Sequence, residues 1–351
     1  MSGGDRLRLA FCGLHPDRTA RLMAEMGSPA AVLSAITGGR LSVPEGVRRV
    51  AALPEEECLS RLARLKVTAL FRHGPGYPVH LADLPGAPDI LFAKGKLPPT
   101  PGVAIVGTRR CTRYGLGLAR AYGRACGSAG WPVVSGLARG ADAEAHRGVV
   151  DANGTGVAVL GCGPDLVYPA EHRDLLTDLL ESGGAMVTEY PPGTRPEPWR
   201  FPPRNRVIAG LAGAVVVVEA AATGGALITA TAALEQGRHV FAVPGDVGRE
   251  TSRGCNLLIR DGATPVLDPA DLIASLSLLL GSPRRATEAA PGRELTAPER
   301  ALLTLLPIDG GLLDDLAAAA GIRAREALAV VSRLEVAGLV RREGGLVLPG
   351  R

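Results

Sequence analysis

The sequence lacks the features that would place this chain in or across a membrane. No apolar run reaches the ~18 residues needed to span a bilayer, and the N-terminus Met1–Asp5 does not have the charged-then-apolar layout of a signal peptide. Its six cysteines are scattered without a CxxC pair, so neither a zinc site nor a disulfide framework is indicated. We therefore expect a cytoplasmic protein that makes no membrane contact and holds no metal.

Lysine and aromatic residues are also scarce. Arginine supplies 36 of the 39 basic side chains, and aromatic residues make up 3% of the chain. The net charge of +4 is modest, but seven arginines lie between Gly107 and Arg147, against the two acids Asp142 and Glu144. We expect this segment to carry positive potential, which favours an anionic partner.

Apolar residues, by contrast, are plentiful enough for a sizeable core. With 46% hydrophobic residues over 351 positions, the chain can form two or three domains. Helical periodicity predicts a small domain over residues 1–95, of the SAM or helix-hairpin-helix type. Within it, Gly13–Leu22 resembles a DNA-binding hairpin. Because His15 stands where such a hairpin needs glycine, we favour a purely structural helical module.

A proline-rich break at Pro98–Pro101 is followed by apolar strands that alternate with helical stretches. This alternation is typical of an α/β fold with a doubly wound, mostly parallel sheet, and it predicts a Rossmann-like domain over residues 96–280. In such a sheet ligands collect at the carboxyl ends of the strands, and the unusual loops of this chain follow predicted strands. The predicted strands are Val103–Val106, Trp131–Ser135, Gly156–Leu160, Ala185–Glu189, Ala214–Glu219 and His239–Val243, with Thr264–Leu267 as a possible edge.

The loop after the first strand combines a glycine, a hydroxyl and two arginines, as Gly107, Thr108, Arg109 and Arg110. At a helix entrance this is a good phosphate seat, because backbone N–H groups and a forked guanidinium converge on one oxyanion. The glycines do not have the G-x-G-x-x-G spacing of a dinucleotide site. We therefore expect no cofactor.

The loop after the second strand carries Ser135, Gly136, Arg139 and Gly140. Two glycines around an arginine let the backbone approach a ligand closely. No Gly-x-Ser-x-Gly elbow surrounds Ser135, so we do not favour a nucleophilic serine. Asp142 is expected to cap the following helix.

Paired glycines open another predicted helix at Gly224 and Gly225, with Thr229 one turn inside it. Backbone N–H groups and a hydroxyl in this arrangement can bind an anion. No Walker lysine follows, so a nucleoside triphosphate site is not supported.

The stretch Phe201–Leu211 surrounds an asparagine with two arginines just before an apolar strand. Two prolines disfavour helix before Arg204, so we expect a short helix to begin there and to present Arg204, Asn205 and Arg206 to an anion. The alternative is that the two arginines only pair with internal carboxylates.

Together these segments resemble the DNA-processing protein A (DprA/Smf) family, densely over about residues 75–270. The resemblance implies a non-catalytic Rossmann-like domain that binds single-stranded DNA, forms a homodimer, protects incoming DNA and helps load RecA recombinase in natural transformation. It also implies that the loops described above contact the DNA. The motifs are GTR at 107–109, SGLARGAD at 135–142, YP at 168–169, TEYPPGT at 188–194, FPPRNRVIAGL at 201–211, VVEA at 217–220, GGALITA at 224–230, AVPGD at 242–246 and GCNLLIRDGA at 254–263.

Two aromatic residues, Trp199 and Phe201, lie close to the arginines of the FPPRNR motif. In sequence-tolerant single-strand binding, a basic groove tracks the backbone while aromatic faces stack on bases. Phe201 is the nearer candidate for such a stack. The alternative is that Phe201 fills core beneath the loop.

The chain departs from the family pattern at two places in the expected groove. Ala170–His172 stands where relatives commonly have a basic residue and an asparagine. Thr223–Ala226 stands where they commonly have a lysine followed by serine-glycine-serine. Both departures remove polar or charged groups, and neighbouring arginines are the available compensation.

After a turn-rich linker at residues 281–293, residues 294–351 have the pattern of three helices and a short hairpin. This pattern predicts a winged-helix domain. Because it holds seven arginines and eight acids, an interaction or structural module is as consistent with its charge as a groove reader.

An enzyme of the same fold class is the competing hypothesis. A nucleotide 5'-monophosphate phosphoribohydrolase of the lysine-decarboxylase-like group uses a glycine pair that opens a helix carrying a catalytic glutamate. Gly224, Gly225 and Glu235 imitate this loosely, but Ala226 and Leu227 interrupt the characteristic Pro-Gly-Gly-x-Gly-Thr. We favour the binding protein.

Overall fold

The computed structural model describes residues 3–283, 296–307, 310–336, 339–343 and 345–349. Its chain contacts divide it into two compact units, Met1–Pro283 and Arg284–Arg351. Within residues 3–283 the strands form one nine-stranded sheet. They are β1 Thr68–Phe71, β2 Ile90–Gly95, β3 Gly102–Val106, β4 Val133–Ser135, β5 Gly156–Leu160, β6 Ala185–Thr188, β7 Ala212–Val217, β8 His239–Ala242 and β9 Thr264–Pro265.

The strand order is β1-β2-β6-β5-β4-β3-β7-β8-β9. Every neighbouring pair from β6 to β9 is parallel, and β1 and β2 add an antiparallel edge. The chain lays down β3, β4, β5 and β6 in one direction and then returns to place β7, β8 and β9 on the other side of β3. This reversal confirms the doubly wound α/β sheet, and its switch point lies at β3 and β7.

Thirteen α-helices are described in the first unit, and eight of them cover the sheet. The helices are α1 Gly3–Phe11, α2 Pro16–Met26, α3 Pro29–Thr37, α4 Glu45–Ala51, α5 Glu55–Arg64, α6 Val79–Ala82, α7 Arg113–Ser128, α8 Ala141–Asp151, α9 Arg173–Glu181, α10 Phe201–Gly210, α11 Gly225–Glu235, α12 Glu250–Arg260 and α13 Pro269–Leu280.

The strands at the centre of the sheet are apolar throughout because both of their faces are buried. In β3, Val103 and Ile105 pack with α7, α8, α9 and α13 on one face. Ala104 and Val106 alternate to the other face, where α6, α10, α11 and α12 pack. The result is a three-layer sandwich whose loops at the carboxyl ends of the strands are free to form a site.

The helices α1 to α5 precede the sheet, as the sequence predicts, but the sheet begins earlier than residue 96. Strand β1 pairs with β2, and β2 pairs with β6 in the register Phe92 to Thr188. Both strands fall within residues 1–95, which the sequence analysis assigned to a helical domain. The difference arises because strands of four and six residues leave little periodicity in the sequence, whereas β2 lies between β1 and β6 in the sheet with Leu91 and Phe92 completely buried.

The second unit has the elements expected of a winged helix within its described residues. Its strands form a separate sheet in the order β10-β12-β11. Leu302, Val330 and Val331 are fully buried in its core. The elements are α14 Ala297–Leu305, β10 Gly311–Leu312, α15 Leu313–Ala319, α16 Ala324–Val336, β11 Val340–Glu343 and β12 Leu346–Pro349.

No helix among the described residues is both long and apolar enough to span a lipid bilayer.

Candidate nucleic-acid interface

A cavity of about 370 Å³ opens at the switch point of the sheet. Its walls come from the loop after β3, the first turn of α10 and the first turn of α11. It gathers ten of the fifteen residues that the sequence analysis assigned to nucleic-acid binding. These are Gly107, Thr108, Arg109, Arg110, Phe201, Arg204, Asn205, Gly224, Gly225 and Thr229.

The loop after β3 is held by Glu219, which sequence reasoning had not assigned to the site. The Glu219 carboxylate is buried and accepts hydrogen bonds from the backbone N–H of Thr112 at 2.8 Å and from its hydroxyl at 2.9 Å. The backbone N–H of Thr108 donates to the Glu219 carbonyl at 2.7 Å. The signal in the sequence was an acid directly after an apolar strand. The bonds to Glu219 fix the start of α7, while Arg109 and Arg110 stay exposed.

Arg109 and Phe201 meet at the mouth of the cavity. The Arg109 guanidinium carbon lies 5.0 Å from the centroid of the Phe201 ring, which is half-buried. Within the described part of the chain, neither Arg109 nor Arg110 makes an ion pair. An exposed guanidinium beside an aromatic ring, with a second exposed guanidinium lining the same cavity, can bind the phosphates and a base of a single strand.

Helix α10 begins at Phe201, three residues earlier than expected. Pro202 and Pro203 lie in its first turn, where a missing N–H costs nothing. The prediction of a helix start at Arg204 was wrong for this reason. As a consequence Arg204 lies one turn inside the helix, and 5% of it is exposed.

The Arg204 guanidinium forms hydrogen bonds inside the protein. It donates hydrogen bonds to the carbonyl of Gly136 at 2.8 Å and to the carbonyl of Val159. Burial lowers the pKa of Arg204, and nearby Asp142 opposes that shift. Its guanidinium carbon also lies 5.8 Å from the Phe201 ring centroid, so Arg204 supports the aromatic ring from inside the protein.

Asp142 and Ser135 also have structural partners. Asp142 accepts the backbone N–H of Gly136 at 3.1 Å and of Ala138 at 3.4 Å, so it braces the preceding loop. The expected cap of α8 is therefore wrong, and its N-cap position is held by Gly140 without a side-chain bond. Burial raises the pKa of Asp142, and Arg204 opposes that shift. Ser135 is fully buried and donates to the carbonyl of Ile105 at 2.7 Å, which agrees with the rejection of a nucleophilic serine.

Arg206 points away from the main cavity. Its guanidinium donates to both carboxylate oxygens of Glu189, at 2.7 and 2.8 Å, and to the carbonyl of Pro203 at 2.9 Å. It lines a different cavity, between α1, α2 and the sheet. For Arg206 the structure matches the alternative given by the sequence, pairing with an internal carboxylate.

The start of α11 faces the cavity with its backbone. Gly224 is the N-cap and supplies no side-chain cap, so the first N–H groups of the helix have no capping side chain. A Cβ added at Gly225 would meet no atom within 4 Å, so that space is open. Asn205 connects this helix to α10 by donating to the Gly225 carbonyl at 3.3 Å, and Thr229 is buried behind it.

Beside the main cavity lies a smaller one of about 20 Å³, lined by Arg109, Gly136, Arg139, Tyr168 and Phe201 among others. Gly136 packs directly on the Arg204 guanidinium, which lies 2.6 Å from the position that a Cβ would take, so a larger residue at 136 would displace that buried guanidinium. Gly140 has φ +79° and packs on the Thr108 carbonyl, outside both cavities.

Arg139 is not a free cation in this structure. It donates two hydrogen bonds to the carboxylate of Glu171, at 2.7 and 2.9 Å, and both side chains are more than half exposed. The hydrogen bond from Arg139 lowers the pKa of Glu171. His172, the next residue, is buried and its Nδ1 lies 2.8 Å from the carbonyl of Leu137. Glu171, which lies between Ala170 and His172, therefore pairs with Arg139 in the free protein.

Trp199 has its stacking partners within the protein. Its ring stacks on His15, with centroids 5.1 Å apart and planes at 27°, and the Arg200 guanidinium carbon lies 4.1 Å from its centroid. His15 also accepts the backbone N–H of Asp17 at the start of α2. This is consistent with a structural role for the segment Gly13–Leu22.

No cluster of three or more His, Cys, Asp or Glu side chains suited to a metal ion occurs in the described part of the chain. The groups that line the cavity include guanidinium side chains and an aromatic ring, together with the backbone at the start of α11.

Comparison with protein families matches this architecture. Residues 68–277 match the family described as DNA recombination-mediator protein A, and residues 286–345 match the DprA winged helix domain. Protein Smf of Escherichia coli is 36% identical over 270 residues, which cover 75% of this chain and 72% of that protein. DNA processing protein DprA of Streptococcus pneumoniae is 39% identical over 200 residues, covering 56% of this chain and 70% of that protein.

Two solved structures of the same kind resemble this chain. DNA processing protein A from Streptococcus pneumoniae aligns with a TM-score of 0.61 and 29% identity, covering 78% of this chain and 98% of the other. DNA processing protein A from Helicobacter pylori, which binds single-stranded DNA, aligns with a TM-score of 0.54 and 25% identity, covering 60% and 95%.

Proposed function

Since the chain belongs to the DNA recombination-mediator protein A family, we propose that it binds single-stranded DNA at the switch-point cavity and acts as a mediator, not as an enzyme. One observation carries this proposal: Arg109, exposed and without an ion pair among the described residues, lies beside the Phe201 ring at the mouth of that cavity, and the exposed Arg110 lines the same cavity. The combination of free cations and an aromatic face suits a strand whose phosphates and bases are both accessible.

Each wall of the cavity has a task in this function. Arg109 and Arg110 bind phosphates, and the uncapped N-terminus of α11 adds backbone N–H groups with a favourable helix dipole. Phe201 stacks on a base. Because these contacts address phosphates and π-faces and not base edges, we expect binding that tolerates any sequence.

We further propose that the protein is a homodimer that protects incoming DNA and helps load RecA recombinase in natural transformation. Family membership supports this part. Light scattering should detect a dimer at tens of micromolar, and the protein should speed RecA filament formation on single-stranded DNA. A monomer at that concentration, or no effect on the filaments, would remove the corresponding part of the proposal.

The structure places the glutamate that the phosphoribohydrolase hypothesis requires far from the glycine pair. Glu235 is the last residue of α11, ten positions after Gly225, and at 1.5 Å per residue the helix separates the two by about 15 Å. A carboxylate at that distance is out of reach of a nucleotide held at the helix N-terminus. Incubation with AMP should therefore release no free adenine.

The test of the proposed function is a titration of fluorescently labelled oligo-dT across a series of salt concentrations. The logarithm of the affinity should fall with the logarithm of salt by ~0.7 for each neutralised phosphate. A duplex of the same length is the control for strand type, and oligo-U tests the preference for DNA over RNA. Absence of binding, or an affinity that does not change with salt, would refute the electrostatic basis of the proposal.

A further inference from the structure

We propose that Tyr168 is a second base-stacking site, which takes the base next to the one on Phe201. The proposal rests on the proposed function, since it assumes a single strand in the adjacent cavity. It assigns a role to the tyrosine of the YP motif, which was not among the predicted binding residues and does not line the main cavity. Tyr168 lines the smaller cavity together with Arg109, Arg139 and Phe201.

The exposure of Tyr168 is the first argument. Its side chain is large and mostly apolar, yet 40% of it is exposed. In the described part of the chain its hydroxyl makes no hydrogen bond. Burying such a ring under a base removes apolar surface from water without breaking a bond within the protein.

The angle between the rings is the second argument. The centroids of Tyr168 and Phe201 are 5.5 Å apart, and their planes are inclined by 39°. A single planar base cannot lie flat on both rings at that inclination. Two successive bases can each stack on one of the two rings, provided that the strand turns slightly between them.

The loop that carries Tyr168 is held rigidly, which is the third argument. Asp165 accepts the backbone N–H of Gly193 with both carboxylate oxygens, at 2.9 and 3.1 Å, and the N–H of Gly163 donates to the Thr194 carbonyl at 2.8 Å. After Tyr168, the buried His172 anchors the chain to the Leu137 carbonyl. A ring on an ordered loop loses little conformational entropy when a base stacks on it.

Charge around the ring favours a nucleic acid over an uncharged partner. Arg109 and Arg139 both line the cavity that Tyr168 borders. Each guanidinium can therefore bind the phosphate of a nucleotide whose base stacks in or beside this cavity. Glu171 occupies Arg139 in the free protein through an exposed ion pair, and such pairs are weak enough for a phosphate to displace.

The first experiment compares Tyr168→Leu with Tyr168→Phe in oligo-dT binding by the full chain. Leucine keeps an apolar side chain without a ring and should weaken binding roughly tenfold, whereas phenylalanine keeps the ring and should bind like wild type. The slope of affinity against salt should stay unchanged in both, because the ring neutralises no phosphate. Melting temperatures and circular dichroism verify folding.

The outcomes separate this inference from the proposed function. If wild type binds and Tyr168→Leu binds equally well, the stacking site is wrong and the proposed function stands. If wild type itself does not bind oligo-dT, the proposed function fails first. Weakening by Tyr168→Phe as large as that by Tyr168→Leu would also overturn stacking, because the hydroxyl would then be the contact.

A second experiment locates the base directly. Oligonucleotides carrying 5-iodo-deoxyuridine, which cross-links to stacked aromatic rings on irradiation, should label the peptide containing Tyr168 in wild type. Tyr114 is 56% exposed and lines neither cavity, so it is the internal control. Labelling of Phe201 without Tyr168, or of Tyr114 as strongly as Tyr168, would overturn the inference.

Discussion

Phe201 and Trp199 are two residues apart, and both rings are partly exposed, but their surroundings are opposite in kind. The Trp199 ring contacts His15 of the helical region and Arg200, so its stacking partners come from the protein. The Phe201 ring lies between two cavities, beside an exposed guanidinium from Arg109 and next to the exposed ring of Tyr168. Proximity to arginines therefore does not identify a base-stacking residue; the ring's other contacts do.

The arginines near these rings also differ in whether they contact the protein or remain exposed. Arg204 is buried against backbone carbonyls and Arg206 is paired with Glu189, so both are committed to the fold. Arg109 and Arg110, from a different loop, remain exposed at the cavity. Which arginines support the fold and which face a ligand is therefore decided only when the protein folds.

The largest expected effect comes from removing the buried guanidinium beneath Phe201. Arg204→Ala should destabilise the protein by ~3–5 kcal/mol, because it breaks the bonds to Gly136 and Val159 and leaves Asp142 buried without its cation. Chemical denaturation measures the loss. Arg109→Ala is the matched control. It should keep wild-type stability and weaken binding to all single-stranded sequences alike. Equal stability of the two variants would contradict the division into structural and ligand-facing arginines.

The next effect sharpens the comparison at Phe201 itself. Phe201→Ala should weaken oligo-dT binding by roughly tenfold or more, since each base stack is worth ~1–3 kcal/mol, while the melting temperature barely moves. Fluorescence anisotropy and a thermal melt on the same preparation measure both quantities. If Phe201 instead fills core, truncation costs ~3–5 kcal/mol of stability and affinity per folded molecule stays normal.

Trp199→Ala should give the opposite pattern with a smaller magnitude. Loss of the contacts with His15 and Arg200 should cost about 1–2 kcal/mol of stability, and affinity for oligo-dT should not change. His15→Ala should reproduce part of the stability loss. A clear fall in affinity with unchanged stability would place Trp199 in the binding site and break the comparison.

The smallest expected effect concerns the cation held by Glu171. Glu171→Gln should strengthen oligo-dT binding by up to about fivefold, because a weak, exposed ion pair no longer competes with phosphate for Arg139. The salt dependence should become steeper by at most ~0.7. Since Arg139 lowers the pKa of Glu171, the pair persists above that pKa and is lost as pH falls through it. The advantage of the variant should therefore shrink at acidic pH, and an advantage independent of pH would argue against this competition.

Much of the fold could be predicted from the sequence. Strand β5 occupies the predicted residues, and β3, β4, β6, β7 and β8 differ from prediction by one or two residues at their ends. The two strands β1 and β2 were missed because strand pairing, not local pattern, stabilises them. For the site, the loops at residues 107–110 and 224–229 come together as the sheet topology requires, whereas Ser135, Gly140 and Arg206 line neither the main cavity nor the smaller one.

The sequence by itself determined which loops reach the carboxyl edge of the sheet. Alternating apolar strands and helices impose that geometry, and glycine, threonine and arginine at the strand ends suit an anion. Only the tertiary structure decided which side chains remain available there. A guanidinium or an aromatic ring is equally suited to a phosphate, a carboxylate, a backbone carbonyl or another ring, so its partner depends on what packing brings within a few ångströms. In this protein packing engaged Arg204 and Arg206 with interior acceptors and stacked Trp199 on His15. It left Arg109 and Tyr168 exposed beside the half-buried ring of Phe201.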